Sequence, residues 1–534
     1  MVKESDESNI LPDDYYRVIG KRAQRNNIMA AKLVAEAVRT TLGPKGMDKM
    51  IVDPDNNVIV TNDGAEILSH LRFEHPVARM IADVSKNQER SVGDGTTTAA
   101  VFTGELLSNA ERLLDMNIHP SIIIKGYKIA LNKAKEFLEE ISIKPKINDE
   151  ILMKIAETAM TGKGTEQAKT LLADICVRAI KSILSDSSSD ESLIDSSDIL
   201  IRSISGGSIE DSRIVQGILL EKEKINPSMP KLIKNPKILL LDEPIQVRET
   251  EIQANVQITT PEQMHQFIDM EDEMIEEMVE SIASKGINVV FCQKGIDNLA
   301  AHYLARKGIL ALRRLTHSEM LKLAKMTNAK IVSSVDSIND SDLGHADVVR
   351  EERINDENYL FVERKESKVI TIIARGSTIE GIDEVKRSID DAIGDLITFV
   401  KTKKVVCGAG ACEMALLTKL SNYSEGVVGK ERLAVEAFSQ ALEIIPKTLA
   451  ENAGLDSLSV LSNLKVEHKK GNFHMGIDES DGRVIDAFAE GIIEPFQLKL
   501  EAITSATELA IMILRIDDVI YANLSETKEK EKID

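Results

Sequence analysis

The hydrophobic period of this chain changes twice along its length, and that change limits the folds open to it. Over Asn26–Leu42, Ile28, Ala31, Ala35 and Val38 recur at three- and four-residue spacing. Thr97–Leu114 repeats the pattern with Phe102, Leu106, Ala110 and Leu113, and Arg432–Ala453 is a further helix candidate, interrupted by Pro446. The middle of the chain reads differently. Lys237–Leu241 and Asn288–Cys292 are short apolar runs bounded by Pro236 and Gly295, a helix follows through Tyr303, and Gly308 leads into Ile309–Leu312. That is a βαβ pattern. The expectation is a nested layout, with a mainly helical domain built from both chain ends and an α/β domain inserted into it. At 534 residues the chain is too long for one core, and about three domains are expected.

Composition removes several classes of function. Net charge is −21, so the basic footprint of a nucleic-acid binder is missing. The opening MVKESDESN carries no apolar stretch of the signal-peptide kind, and no run approaches 18 apolar residues. A cytoplasmic protein with no membrane insertion is expected. Four cysteines are too few for a disulfide scaffold, and Cys407 and Cys412, five apart, fit no common metal spacing. The acidic start 1–12, the tail after Asn523 and the serine-rich 185–198 read as solvated segments.

The strongest chemical signal is Gly93-Asp94-Gly95-Thr96-Thr97-Thr98. Two glycines permit a sharp turn, and the threonines open a helix whose free N–H groups would face an anion. Asp94 is a hard oxygen ligand placed to hold Mg²⁺ beside phosphates. Leu42-Gly43-Pro44-Lys45-Gly46 reads locally as a helix stop, Thr61-Asn62-Asp63-Gly64 as a hairpin turn, and Gly408-Ala409-Gly410 as a loop open to close backbone approach. On the helix after Gly381, Ile382, Val385, Ile389, Ile393, Leu396 and Val400 form an apolar stripe. Asp391 lies opposite it, as a solvated charge would.

Taken in order, LGPKGMDKMIVD (42–53), TNDGAEIL (61–68), GDGTTTA (93–99), TGKG (161–164), GGSIED (206–211), VVFCQKGID (289–297), RSIDDAIGD (387–395), LAENAGLD (449–456), GIIEP (491–495) and SATELAIMILRIDDVI (505–520) resemble the group II chaperonins, and most of all those of the thermosome type. The resemblance runs from about Tyr16 to Ile520. It implies a multi-domain chaperonin fold. A mainly α equatorial domain would take 1–147 and 403–534. A small α/β intermediate hinge would take 148–216 and 371–402. An α/β apical domain, 217–370, would carry a helical protrusion at 247–277 that acts as a lid.

The resemblance also implies ATP hydrolysis driving enclosure of non-native client proteins inside a double ring of identical or paralogous subunits. Leu42, Gly43, Pro44, Gly93, Gly95, Thr96, Thr97, Thr98, Gly162, Lys163, Gly408, Ala409 and Gly410 would contact the nucleotide, and Asp94 would hold Mg²⁺, with K⁺ as a further cation. Asp63 and Asp391 would position and polarise the attacking water. Lys163 would sense the γ-phosphate, and Asp478, Glu494 and Lys499 would lie near ribose and base. The chain departs from the family pattern at Ala409, where a third glycine is usual, and at Ser377, where Gly is usual. If residue 409 has positive φ, the alanine costs roughly 1 kcal/mol or more.

In the inserted domain, Thr260-Pro261-Glu262-Gln263 reads as a helix start with a cap, Pro at the first position and a capping box. Met264, Phe267, Ile268, Met274, Ile275, Met278, Val279 and Ile282 follow on that helix, and its other face is densely acidic.

Overall fold

The computed structural model describes residues 15–52, 56, 58–164, 168–186, 198–247, 260–365 and 367–522. Two compact units emerge, one from 1–166 and 391–534 and the other from 167–390, so both chain ends do share a unit.

The first unit is mainly helical. Gly20–Arg39, Pro76–Val92, Thr96–Asp115, Pro120–Ile141, Ala411–Ser424, Glu431–Ala441 and Phe496–Leu514 pack around one large apolar core. With no Trp in the chain, three aromatic rings anchor it. Phe102 and Tyr127 meet Phe438 edge-on, with centroids 5.6 and 5.7 Å away. The Tyr127 hydroxyl is kept out of deficit by donating to the Leu106 carbonyl at 2.7 Å. Strand Tyr15–Ile19 pairs antiparallel with Asp518–Ala522, closing the two ends of the chain onto each other. Two further antiparallel ribbons, Val405–Cys407 with Ile493–Pro495 and Met475–Ile477 with Val484–Asp486, carry loops discussed below.

The helix expected over Arg432–Ala453 is two helices, Glu431–Ala441 and Ile444–Asn452. The interruption lies before Pro446, not at it. Proline has no N–H and its ring crowds the carbonyl four residues back, which is that of Leu442, so the break falls there and Pro446 sits in the first turn of the next helix. The first helix runs Gly20–Arg39, starting six residues before the expected Asn26 and leaving Leu42 outside.

The second unit holds a parallel sheet in the order Leu310–Leu312, Val289–Cys292, Lys237–Leu241, Ile331–Val332, with Gly344–His345 added antiparallel to Lys237–Leu241. Helices Pro261–Ser284, Asn298–Arg306 and His317–Thr327 accompany it, as the βαβ pattern anticipates. Strand residues such as Leu239, Leu240, Val290 and Phe291 are completely buried on alternate sides, which is why these strands read as unbroken apolar runs. Beside it lie a four-stranded antiparallel sheet centred on Val348–Ile354 and Glu357–Glu363, and a three-stranded sheet in which Ile370–Gly376 is central.

Helix Pro261–Ser284 is capped by Thr260, whose hydroxyl accepts from Gln263 N at 3.3 Å. Only Ile275, Val279 and Ile282 are buried along it, whereas Met264, Phe267, Ile268, Met270 and Met274 are exposed. Residues 248–259 of the expected protrusion lie outside the described residues, as does most of 185–198. All four cysteines are buried and free.

Candidate functional site

Within the helical unit, loops from distant parts of the chain converge on the start of helix Thr96–Asp115. Gly93 closes the preceding helix at φ 91°, and Gly95 opens the next at φ 82° without a side-chain cap. The first-turn N–H groups, at Thr96, Thr97 and Thr98, therefore have no acceptor within the helix, and the helix dipole adds positive potential there. Asp94 bends back to accept from Gly95 N at 2.6 Å.

Asn62-Asp63-Gly64 is not a hairpin turn. Strand Val58–Thr61 ends, and Asp63 caps helix Gly64–His70, accepting from Ala65 N at 2.9 Å. An Asp at this point has a first-turn donor to satisfy, and that bond fixes the direction of its other oxygen. Thr96 Oγ1 lies 3.5 Å from Asp63 Oδ1, and a Cβ built on Gly64 would sit 2.4 Å from Thr97 Oγ1. The two helix starts thus meet directly. Asn62 Nδ2 donates to the Gly162 carbonyl at 2.7 Å, which brings in the loop that carries Lys163. Gly162 in turn abuts Gly43 and Pro44. Leu42 joins through its carbonyl, which accepts from Asn452 Nδ2 at 2.8 Å.

Asp391 is not a solvated charge. Its carboxylate pairs with Lys163 Nζ, with both side chains less than a fifth exposed. Helix Ile379–Thr402 carries Asp391, and Gly394 on the same helix packs against Gly93. Burial pushes Asp391 well above the usual carboxylate range, with Lys163 opposing and Asp94 and Asp63 reinforcing the rise. Asp63 is raised for the same first reason. Burial works against the Lys163 ammonium, but Asp391 and then Asp94 outweigh it and hold it charged. One cation among three carboxyls leaves an excess of negative charge, which adds to burial in making Asp391 and Asp63 hold their protons more tightly.

A second cluster lies where the Val405–Cys407 ribbon turns into helix Ala411–Ser424. Gly408, Ala409 and Gly410 form that turn, with Gly410 as a left-handed cap at φ 73°. Ala409 has φ 52°, so the strain foreseen for a non-glycine residue is present. Lys499 Nζ is buried between Glu494 Oε2 at 2.9 Å and Glu413 Oε1 at 2.8 Å. A Cβ on Gly408 would come 2.8 Å from Glu494 Oε1, and Ile477 N donates to the Ala409 carbonyl at 3.0 Å. Asp478 faces its own loop, accepting from Ser480 N at 2.9 Å, with Arg483 3.8 Å away. Its neighbour Glu479 reaches toward Gly43, and burial pushes its carboxyl up to about 7.

The structure therefore gathers Gly43, Pro44, Asp63, the residues 93–98, Gly162, Lys163 and Asp391 at one place, and Gly408, Ala409, Gly410, Glu494 and Lys499 at another. The segment Ile477–Glu479 touches both, Ile477 through the Ala409 carbonyl and Glu479 beside Gly43. Glu413, Asp395 and Glu479 were not singled out by sequence. Asp395 had a readable signal, because it is the one acid in the apolar stretch from Ala392 to Val400. Among the described residues no three His, Cys, Asp or Glu side chains converge to hold a metal ion by themselves. The hard carboxylate of Asp94 beside the first-turn N–H groups suits Mg²⁺ shared with phosphates, since that ion takes one or two carboxylates and keeps its other positions for phosphate and water. No helix among the described residues is long and apolar enough to cross a membrane.

A model of the TCP-1/cpn60 chaperonin family matches residues 34–523. A thermosome subunit of Methanopyrus kandleri is 51% identical over 516 residues, covering 96% of this chain and 94% of the relative. The thermosome subunit beta of Methanothermobacter thermautotrophicus is 50% identical over 522 residues, 98% of this chain and 96% of its own. A thermosome subunit of Pyrococcus horikoshii is 48% identical over 526 residues, with the same coverage.

Proposed function

This chain belongs to the TCP-1/cpn60 chaperonin family, an ATP-hydrolysing chaperonin subunit that assists protein folding, and from that premise we propose how its own residues perform the work. ATP sits with its phosphates on the N–H groups of Thr96, Thr97 and Thr98 and on the Gly43-Pro44 and Gly93–Gly95 backbone. Ribose and base extend toward Asp478, Glu494 and Lys499, with the 408–410 loop alongside. Asp94 would hold Mg²⁺, which would supply positive charge to offset that of the phosphates, and K⁺ is a further cation for the same pocket. Asp63 and Asp391 orient the attacking water. Their raised proton affinity makes each a better acceptor of its proton than a free carboxylate. Lys163 faces the γ-phosphate and exchanges Asp391 for it when nucleotide arrives.

The domain plan that follows is equatorial 1–147 and 403–534, intermediate 148–216 and 371–402, and apical 217–370 with its lid at 247–277. Hydrolysis moves the intermediate segments and with them the lid, by rigid-body closure. The exposed Met264, Phe267, Ile268, Met270 and Met274 support the lid reading, because flexible apolar side chains suit contacts with varied partners. Non-native proteins are confined within a double ring of identical or paralogous subunits in the cytoplasm.

The observation that carries this reading is the Lys163–Asp391 pair facing Asp63 and Asp94 at a helix start. Asp391→Ala is expected to bind ADP as the parent does and to lose about 100-fold or more in ATP turnover. Turnover equal to the parent's would overturn the assignment.

A further inference from the structure

Helix Ile379–Thr402 presents an acid that the reading above leaves unused. From Ala392 to Val400 every residue but Gly394 is buried, and Asp395 is among them at 2% exposure. Its Oδ1 is enclosed without a hydrogen-bond partner. Nothing in an apolar helix turn calls for a carboxyl, and a buried one with an unpartnered oxygen costs more than a Leu or Val in the same space.

What surrounds Asp395 is informative. Gly394 and Gly93 stand back to back, and a Cβ built on either would lie 2.9 Å from the Cα of the other. Two chains of backbone approach this closely only where both residues lack side chains. The contact pins the Asp391–Asp395 turn against the residue that precedes Asp94. After burial itself, the charges that act most strongly on Asp395 are those of Asp94, Glu494 and Asp391, with Lys163 as the opposing charge. A buried carboxyl oxygen without a partner, under the influence of like charges, is what a cation would complete.

We propose that Asp395 is a further ligand, direct or through one water, of the divalent cation held at Asp94. The inference rests on the nucleotide reading above. Two carboxylates plus phosphate oxygens are an ordinary Mg²⁺ environment. Asp395 lies one turn beyond Asp391 on the same helix, and the Gly394–Gly93 contact holds both acids on the side of the phosphate loop where Asp94 would hold the cation.

The test is a Mg²⁺ titration of ADP binding, followed by calorimetry on the full-length assembled protein, with Mn²⁺ binding in the presence of ADP followed by electron paramagnetic resonance. Asp395→Asn preserves shape and removes the charge. It is expected to raise the half-saturating Mg²⁺ and Mn²⁺ concentrations at least tenfold, with ADP affinity in EDTA within twofold of the parent. A residue that merely packs would not separate those two readings. Unchanged metal midpoints would overturn the proposal. Parent protein whose ADP affinity ignores Mg²⁺ would instead remove the nucleotide reading beneath it, and this proposal with it. If Asp395→Asn does not assemble, Gly394→Ala carries the test, because it forces the helix off Gly93 while keeping both carboxylates. It too is expected to raise the midpoints, and a parent-like midpoint there overturns the proposal.

Discussion

Gly162→Ala separates what the Lys163 loop needs from what any glycine turn needs. Gly162 has φ +83°, and a Cβ there would lie 2.8 Å from the Gly43 carbonyl oxygen and 2.8 Å from Pro44 Cα. Both obstacles are backbone, and the Gly43 carbonyl is already engaged by Gly46 N at 2.9 Å, so no rotamer change relieves the overlap. Left-handed alanine costs about 1 kcal/mol, and crowding of this kind about 1–3 kcal/mol more. The loop escapes by moving away from Gly43, and holding it in the binding geometry then costs about 2–4 kcal/mol. At 1.4 kcal/mol per decade, nucleotide-linked activity should fall about 30- to 700-fold. Gly471→Ala is the control, with φ +91° and nothing within 4 Å. It bears the backbone strain without the overlap. Steady-state ATP turnover and ADP calorimetry on assembled protein compare the two. Equal behaviour of both variants would refute the argument that the contact with Gly43 and Pro44 positions Lys163.

Two further outcomes are expected. Glu479 has a folded-state pKa of about 7, raised from its usual value near 4.5 by burial, so its contribution to stability is complete below the unfolded value and is lost as pH rises through about 7. Denaturant midpoints at pH 5 and pH 8 should differ more for the parent than for Glu479→Gln, and parallel profiles would contradict this. Ala409 at φ 52° already sits in the left-handed region, and its Cβ would be 2.8 Å from one built on Gly476. Ala409→Val, β-branched in that conformation, should lower stability by about 2 kcal/mol, and a parent-like denaturation midpoint would show that the loop adjusts freely.

The helices around Phe102 and the strands at Leu239 and Val290 were legible because burial on one stripe, or on both faces, leaves a period in the residues themselves. The Thr96 helix start was legible because a glycine pair and three threonines are a local signal. Asp391 was not. The helix has a solvated face only in its first half, and the Lys163 that engages Asp391 lies 228 positions earlier, a partner that no local pattern encodes. Asp63 was misread as a turn because Asn-Asp-Gly serves hairpins and helix caps alike, and only the helix that follows decides between them. Glu413 sits between buried Cys412 and Met414 with nothing nearby to mark it, since its partner Lys499 comes from the far end of the chain.

The interrupted helical unit has a consequence for biogenesis. Asp94 leaves the ribosome roughly 300 residues before Asp391, which at about 5–20 residues per second is a wait of about 15–60 s. At the end of that interval Phe102 and Tyr127 still lack Phe438, their aromatic partner, although 167–390 has by then been synthesised. A protein that shelters others during folding is thus itself, early in its synthesis, an unfinished core in need of shelter.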